Sequence, residues 1–265
     1  MARLLHLTDL HVVAPGTLAS GILDTPRLVK DAVDRVLERE NEIGPLDAVL
    51  VTGDISDDGS AGSYRFAREQ LDRLRLPLLP IPGNHDAREA MRDAFSDLPV
   101  IPAGDQIDWT FDLGTTRIIG LDTLVEGQGA GRLLPSSLAH LRHAISGFEG
   151  TTIIVALHHP PLKTGIAFMD AISLVNTEEL APILASFEGD LRVLAGHVHG
   201  VHIGNIGRHP VMTAPSICSA FPLDRRRDAP VGFSTGQTGY AVIDTAADGL
   251  WSTISLAPSD GPHPF

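Results

Sequence analysis

Seven side chains able to bind a cation stand immediately behind apolar runs: Asp9, His11, Asp54, Asn84, His158, His197 and His199. RLLHL runs into Thr-Asp-Leu-His, DAVLV into Thr-Gly-Asp, and LPLLPI into Pro-Gly-Asn-His-Asp. Further on, TTIIVAL ends in His-His-Pro and LRVLA in Gly-His-Val-His-Gly. Carboxylate, amide and imidazole donors without thiolate suit Mn, Fe, Zn or Co rather than a closed structural zinc cage. Seven donors exceed one open catalytic site and match two metals that share a carboxylate. A lone D-x-H arises often by chance, and a lone H-x-H is more often a turn with two surface histidines. All five blocks in this order, each after a hydrophobic run, form a specific signal. In an extended segment His197 and His199 would point to one side. The glycines before Asp54, Asn84 and His197 predict sharp exits and close backbone approach.

The elements that must position these residues read as α/β. Buried strands are expected at 3–7, 47–51, 151–157 and 191–195, and an edge or irregular strand at 76–81, where prolines interrupt the run. A helix starts at Thr25, expected as its N-cap with Pro26 behind it. Further helices are expected around 61–74 and 86–96, and a hairpin turning at Gly114 over 109–122. The last third reads as hairpins without helices, with 220–238 as the longest irregular stretch and of no assigned role. No repeat or linker divides the chain, so 1–265 is expected to be one domain. In α/β sheets ligands sit at the carboxyl ends of the strands. If several of these runs are parallel neighbours, all five clusters share one rim.

Composition narrows the function classes. The chain has 265 residues, enough for a full core, with 33 acidic against 20 basic residues and a net charge of −13. That balance excludes a sequence-independent grip on duplex nucleic acid, which rests on Lys and Arg. It still admits an anionic small molecule where bound cations reverse the local charge. Cys218 is the only cysteine, which excludes a disulfide framework and a thiolate cluster. No run reaches the roughly 18 apolar residues of a membrane span. The N-terminal MARLLHLTDLHVV is too short and too interrupted for a signal peptide. No membrane contact and a cytoplasmic address are expected; a homo-oligomer is left open.

The blocks DLH (9–11), GD (53–54), GNHD (83–86), HHPP (158–161) and GHVH (196–199) resemble the signature of the calcineurin-like metallophosphoesterase superfamily, over residues 5 to about 200. Within it, HHPPLKTGIAFMD and GILDTPRLVKDAV resemble glycerophosphodiesterases and class III cyclic-nucleotide phosphodiesterases. The resemblance implies a four-layer α/β/β/α sandwich with mixed sheets and a dinuclear metal centre on one edge. C-terminal hairpins over 200–265 are expected to complete the second sheet. Asp9, His11 and His199 would hold one metal, Asn84, His158 and His197 the other, and Asp54 would bridge them. A bridging hydroxide would attack a small phosphodiester, a glycerophosphodiester or a 3′,5′-cyclic nucleotide. A phosphomonoesterase, a nuclease and a non-catalytic scaffold of the same fold are the alternatives. Phosphoprotein phosphatases resemble this pattern but carry Arg at the place of Asp58, a loss that should weaken a dianionic monoester more than a diester.

His85 cannot readily share a metal with Asn84, because neighbouring side chains diverge. It is expected to bind a phosphate oxygen or to protonate the leaving alkoxide. Asp57, three residues after Asp54, is expected either to hold His85 or to cap the following helix. His6 reads as a satisfied buried histidine, His159 as a structural neighbour of His158, and His140 and His143 as solvated. Asp122 reads as a support of the site or a turn residue. Arg225, Arg226 and Arg227 read as a solvated loop or a phosphate clamp.

Overall fold

The computed structural model describes residues 2–246 and 249–257. One sheet holds β1 (Arg3–Leu7), β2 (Ala48–Thr52), β3 (Leu78–Ile81), β10 (Gly239–Asp244) and β11 (Trp251–Ser255), in the order β11-β10-β1-β2-β3. The other holds β4 (Trp109–Leu113), β5 (Thr116–Leu121), β6 (Thr152–Leu157), β7 (Asp190–Ala195), β8 (Ile203–Ile206) and β9 (His209–Thr213), in the order β4-β5-β6-β7-β9-β8. The helices are α1 (Thr25–Glu38), α2 (Glu40–Ile43), α3 (Ala61–Asp72), α4 (Arg88–Ala94), α5 (Pro135–Ile145), α6 (Ala167–Ala171) and α7 (Thr177–Leu184). Among the described residues no helix is long and apolar enough to cross a membrane.

Side-chain alternation sorts the layers. In β6, Ile154 and Ala156 join the core between the sheets, while Ile153, Val155 and Leu157 pack under α5 and α7. On the far side, α1 buries Val29, Ala32, Val33 and Val36, spaced three or four apart, against the first sheet. Tyr64, Ala67 and Leu71 of α3 do the same. Helices thus cover both outer faces, in four layers. Strands β2 and β6 are buried on both faces, as parallel strands between layers must be, and that is why they read as unbroken apolar runs.

Several of the five runs are parallel neighbours, in two sheets: β1, β2 and β3 in the first, and β6 and β7 in the second. Two expectations change. The C-terminal hairpins do not both complete the second sheet. β8 and β9 extend it beside β7, but β10 pairs antiparallel with β1 and carries β11 into the first sheet. The buried second edge of β1 needs a partner for its N–H and C=O groups, and β10 supplies it. Part of the turn between β10 and β11, residues 247–248, lies outside the described residues. Finally, the cap of α1 is Asp24, whose carboxylate accepts from Arg27 N–H, while the Thr25 hydroxyl accepts from Val13 N–H at 3.3 Å.

Candidate metal centre

Strand register brings the donors to one place. Leu7 pairs with Val51 and Thr52 with Ile81, so β1, β2 and β3 release Asp9, Asp54 and Asn84 at one rim. Leu157 pairs with Ala195, so β6 and β7 release His158 and His197 at the facing rim of the other sheet. Pairing continues past the strands, with Asp9 N–H donating to Gly53 O at 3.1 Å and His11 N–H to Asp54 O at 2.8 Å. Gly53 has φ +92°, and a Cβ there would lie 2.6 Å from His158 Nδ1. A Cβ on Gly83 would run into the Asp54 side chain. Only glycine lets these loops close on the site.

Five of the seven donors sit in the left-handed region: Asp9 (φ 52°), His11 (φ 45°), Asp54 (φ 48°), His197 (φ 70°) and His199 (φ 49°). Each such backbone costs on the order of 1–3 kcal/mol and persists where a site requires it. The extended geometry expected for GHVHG is therefore absent. With left-handed residues on both sides of Val198, the two rings part. The His197 ring lies 5.0 Å from that of His158, and the His199 ring 5.0 Å from that of His11.

The hydrogen bonds tell which nitrogen of each histidine faces inward. His11 Nδ1 meets Asp57 Oδ1 at 2.9 Å, His158 Nδ1 meets Thr52 O at 2.7 Å and His199 Nδ1 meets Ser219 Oγ at 2.9 Å. Each places its Nε2 toward the others. His197 is reversed: its Nε2 meets Ile172 O at 3.0 Å, which leaves Nδ1. The inward atoms then confront one another. His11 Nε2 and His199 Nε2 are 3.0 Å apart, and Asp9 Oδ1 lies 3.4 Å from the latter. His158 Nε2 lies 3.1 Å from Asn84 Oδ1. Asp54 Oδ2 stands between the groups, 3.5 Å from His11 Nε2 and 3.3 Å from His158 Nε2. In the neutral rings, His11 and His158 turn bare Nε2 lone pairs on carboxylate and amide oxygens at these distances, an arrangement that positive charge, from a proton or a cation, relieves. Outer acceptors that fix the ring orientation are a regular feature of metal-binding histidines. The donor set fits two metal ions.

Charge points the same way. Asp9 and Asp54 are buried, with 0% and 2% exposure, and isolated carboxylates so placed would neutralise. Burial does push the Asp9 pKa up, but His199 and then His158 outweigh it and hold it down at about 2. For Asp54, burial is likewise outweighed, by His158 first and then His11. Burial opposes charge on His158, yet Asp54 lifts its pKa to about 9. The cluster demands positive charge.

His85 and Asp57 flank this centre. Asp57 Oδ1 lies 3.3 Å from His85 Nδ1, and closer, at 2.9 Å, to His11 Nδ1. His11 and then His85 hold the Asp57 carboxyl well below the usual carboxylate range. Burial lowers the His85 pKa, but Asp57 and then Asp54 overcome it and raise it to about 9. Asp57 does not cap α3. Ser60 does, accepting from Ser63 N–H, and Asp58 braces that turn through Ser56, Ser60 and Ser63.

Two contributors escaped the sequence reading. Asp86, last of the GNHD block, is buried and accepts from Ile55 N–H, Ser56 N–H, Gly83 N–H and Tyr64 OH. It ties the loop after β2 to the loop after β3; burial, then Asp54, raises its pKa to about 6. Phe221 stacks on His199 at 4.3 Å and 23°. The D in GNHD was a visible signal for the first; nothing in the sequence marked the second.

Other candidates fall away from the centre. His159 spends both nitrogens on Thr123 Oγ1 and Gly129 O. His6 is buried with Nε2 on Thr52 Oγ1, but its Nδ1 has no partner, so it is only half satisfied. His143 is exposed, whereas His140 is half-buried against Thr110 Oγ1 rather than solvated. Asp122 supports the end of β5 by binding Arg88, Ile107 N–H and Leu124 N–H, and does not line the site. None of Arg225, Arg226 and Arg227 lines it either, and Arg226 pairs with Asp224.

Known proteins share this frame. The family model for calcineurin-like phosphoesterases matches residues 2–201. A probable glycerophosphodiester phosphodiesterase of Arcobacter nitrofigilis is 30% identical over 264 residues, covering 98% of this chain and 95% of that one. A 3′,5′-cyclic adenosine monophosphate phosphodiesterase of Pseudomonas aeruginosa is 32% identical over 229 residues, covering 84% and 81%. The solved structure of a dimetal phosphatase from Danio rerio superposes with a TM-score of 0.70 over 96% of each chain at 14% identity, which speaks for the fold alone. With a model that spans most of the chain, and a relative alike over nearly all of it, the chain belongs to the calcineurin-like phosphoesterase family.

Proposed function

We propose that this chain is a metal-dependent phosphodiesterase that hydrolyses a small, singly charged phosphodiester, of the glycerophosphodiester or cyclic-nucleotide kind on which its relatives are named to act. The observation that carries the reading is the pair of lone-pair clusters joined at Asp54 Oδ2, at the floor of a cavity of about 220 Å³ with neither Lys nor Arg in its lining. A monoester dianion would look there for a guanidinium; a diester monoanion needs less.

In this reading Asp9, His11 and His199 would hold one ion, Asn84, His158 and His197 the other, and Asp54 would serve both. Two ions held there, of Mn, Fe, Zn or Co, would supply the acidification of water and the charge stabilisation that an in-line displacement needs. The chain's own residues do the rest. Thr52 O, Ser219, Asp57 and Ile172 O fix the rings, so the donors need no reorganisation. His85, in the cavity lining beside Asn84, gives a proton to the departing alkoxide oxygen, and Asp57 holds it charged for that task. Protein stripped with a chelator should not cleave bis(p-nitrophenyl) phosphate. Mn should restore hydrolysis, with kcat/KM at least about tenfold above that for p-nitrophenyl phosphate. No metal-dependent cleavage, or a preference for the monoester, would sink the proposal.

Asp57 serves two masters in this geometry, and its substitution separates them. Asp57→Asn should weaken one step of a Mn titration by about 10–100-fold, because His11 loses its carboxylate. At saturating Mn, turnover should fall most for alkyl esters and least for p-nitrophenyl esters, whose leaving group needs no proton. An unchanged titration together with equal losses on both ester types would remove both roles.

A further inference from the structure

The cavity over the candidate metal centre has two unlike halves. Its floor carries five of the donors, His11, Asp54, Asn84, His197 and His199, with Asp57 and His85. Its wall is apolar: Ala19 and Leu23 from the loop before α1, Phe168, Met169 and Ile172 at α6, and Phe221 and Phe233 from the 220–238 stretch. That stretch is not a free surface loop. Ala220 and Ser234 close its base by exchanging backbone hydrogen bonds at 2.9 and 2.8 Å. The closure sets Phe221 and Phe233 on the cavity from the two ends of one loop. Phe221 stacks on His199 and meets Phe168 edge-to-face at 5.2 Å, while Phe233 packs on Val13, Ala19 and Leu23. The aromatic surface therefore begins at a ligand ring, beside the place where a substituent of the phosphorus would lie.

Polar partners are scarce on that wall. Ser219 is engaged with His199, and the Cys218 thiol, which burial pushes up to about 12, lies 3.3 Å from Asp9 O. Among the described lining residues Ser20 is the one hydroxyl left over. A polyol ester would leave its hydroxyls against carbon, at the cost of their water. A flat ring would replace water at the Phe faces and edges.

Resting on the diesterase reading above, we propose that Phe168, Phe221 and Phe233 form a specificity wall for a planar aromatic group on the ester that stays on phosphorus, and that it selects against glycerol-type esters. The 220–238 stretch then acts as the carrier of two thirds of that wall.

The test keeps the leaving group fixed and varies the other ester. With Mn-loaded protein, kcat/KM is measured for methyl, glyceryl and phenyl p-nitrophenyl phosphates and for thymidine 5′-(p-nitrophenyl phosphate). Water adds to phosphorus, the P–O bond to p-nitrophenolate breaks in every case, and the water's second proton goes to solvent. Phenyl should exceed methyl and glyceryl by about tenfold or more, the range one hydrophobic contact can discriminate. Phe233→Ala and Phe168→Ala, which leave the Phe221 stack on His199 in place, should each bring the phenyl-to-methyl ratio down several-fold toward unity. Phenylphosphonate should bind the Mn-loaded protein more tightly than methylphosphonate in calorimetry, with the same loss in the variants. A thymidine ester that follows phenyl identifies the ring as a nucleobase; one that follows methyl identifies it as an aryl group on the ester oxygen. Activity without phenyl preference, or a preference that survives both variants, overturns the wall while leaving the diesterase reading intact. If no ester is cleaved, the diesterase reading itself fails.

Discussion

Asp54→Asn should leave the folded chain with fewer than two tightly bound ions and with activity reduced by about two to three orders of magnitude. The carboxylate is buried at 2% exposure, with Oδ2 within 3.5 Å of His11 Nε2 and 3.3 Å of His158 Nε2, while Oδ1 accepts from His85 N–H at 2.9 Å. Asparagine keeps the shape and can keep the bond to His85 N–H, so the loop should hold. What it removes is the one negative charge that both lone-pair clusters share. Removing one partner of a buried charge pair costs about 3–5 kcal/mol, and each 1.4 kcal/mol is tenfold in affinity. Metal content after desalting, read alongside kcat/KM, checks this. Two ions per chain, still tightly bound in the variant, would show that Asp54 is not the shared ligand.

A second large effect is expected at a residue outside the cavity lining. Asp122 is fully buried at the end of β5 and meets Arg88 of α4 in two bonds, at 2.6 and 3.0 Å. Its oxygens also accept from Ile107 N–H and Leu124 N–H at 3.0 and 2.9 Å. This carboxylate joins a helix over the first sheet to a strand of the second. Asp122→Ala takes the buried carboxylate from a guanidinium and orphans two backbone donors at once, and should lower unfolding stability by about 3–5 kcal/mol. Arg88 retains contact with Leu124 O and is 15% exposed, which favours the lower end of that range. Urea unfolding in chelator should show the loss with an unchanged slope. A change below about 1 kcal/mol would mean that water replaces the pair at little cost.

The residues of the centre were legible in the sequence because each follows a buried strand. A parallel strand between two layers must be apolar along its length, so the first polar residue beyond it marks the sheet's rim. Asp9, Asp54, Asn84, His158 and His197 were found that way, and the resemblance then supplied their pairing. Helix α1 was legible from its repeat of buried positions. The edge placement of β3 was legible from Pro77 and Pro80, which cannot donate to a neighbour.

What the sequence could not decide depends on contacts across the two sheets. Alternation along one strand says which side chains share a face, but not which sheet the strand joins, so β10 and β11 were placed in the wrong one. Strand periodicity also holds only while φ stays extended. His197 and His199 have left-handed backbone, and the His197 N–H donates to both carboxylate oxygens of Asp9 at 3.1 Å, a residue 188 positions away. No local pattern contains that partner. The same holds for Asp57, whose nearer contact is His11 rather than His85, and for Phe221 and Phe233, which reach the cavity only because Ala220 meets Ser234. The sequence by itself determined the donors and the strands that end in them, since burial and chemistry are written residue by residue. Tertiary structure alone decided which ring nitrogen faces inward, which carboxylate stands between the clusters, and what walls the cavity above them, because each of those is a distance between residues far apart in the chain.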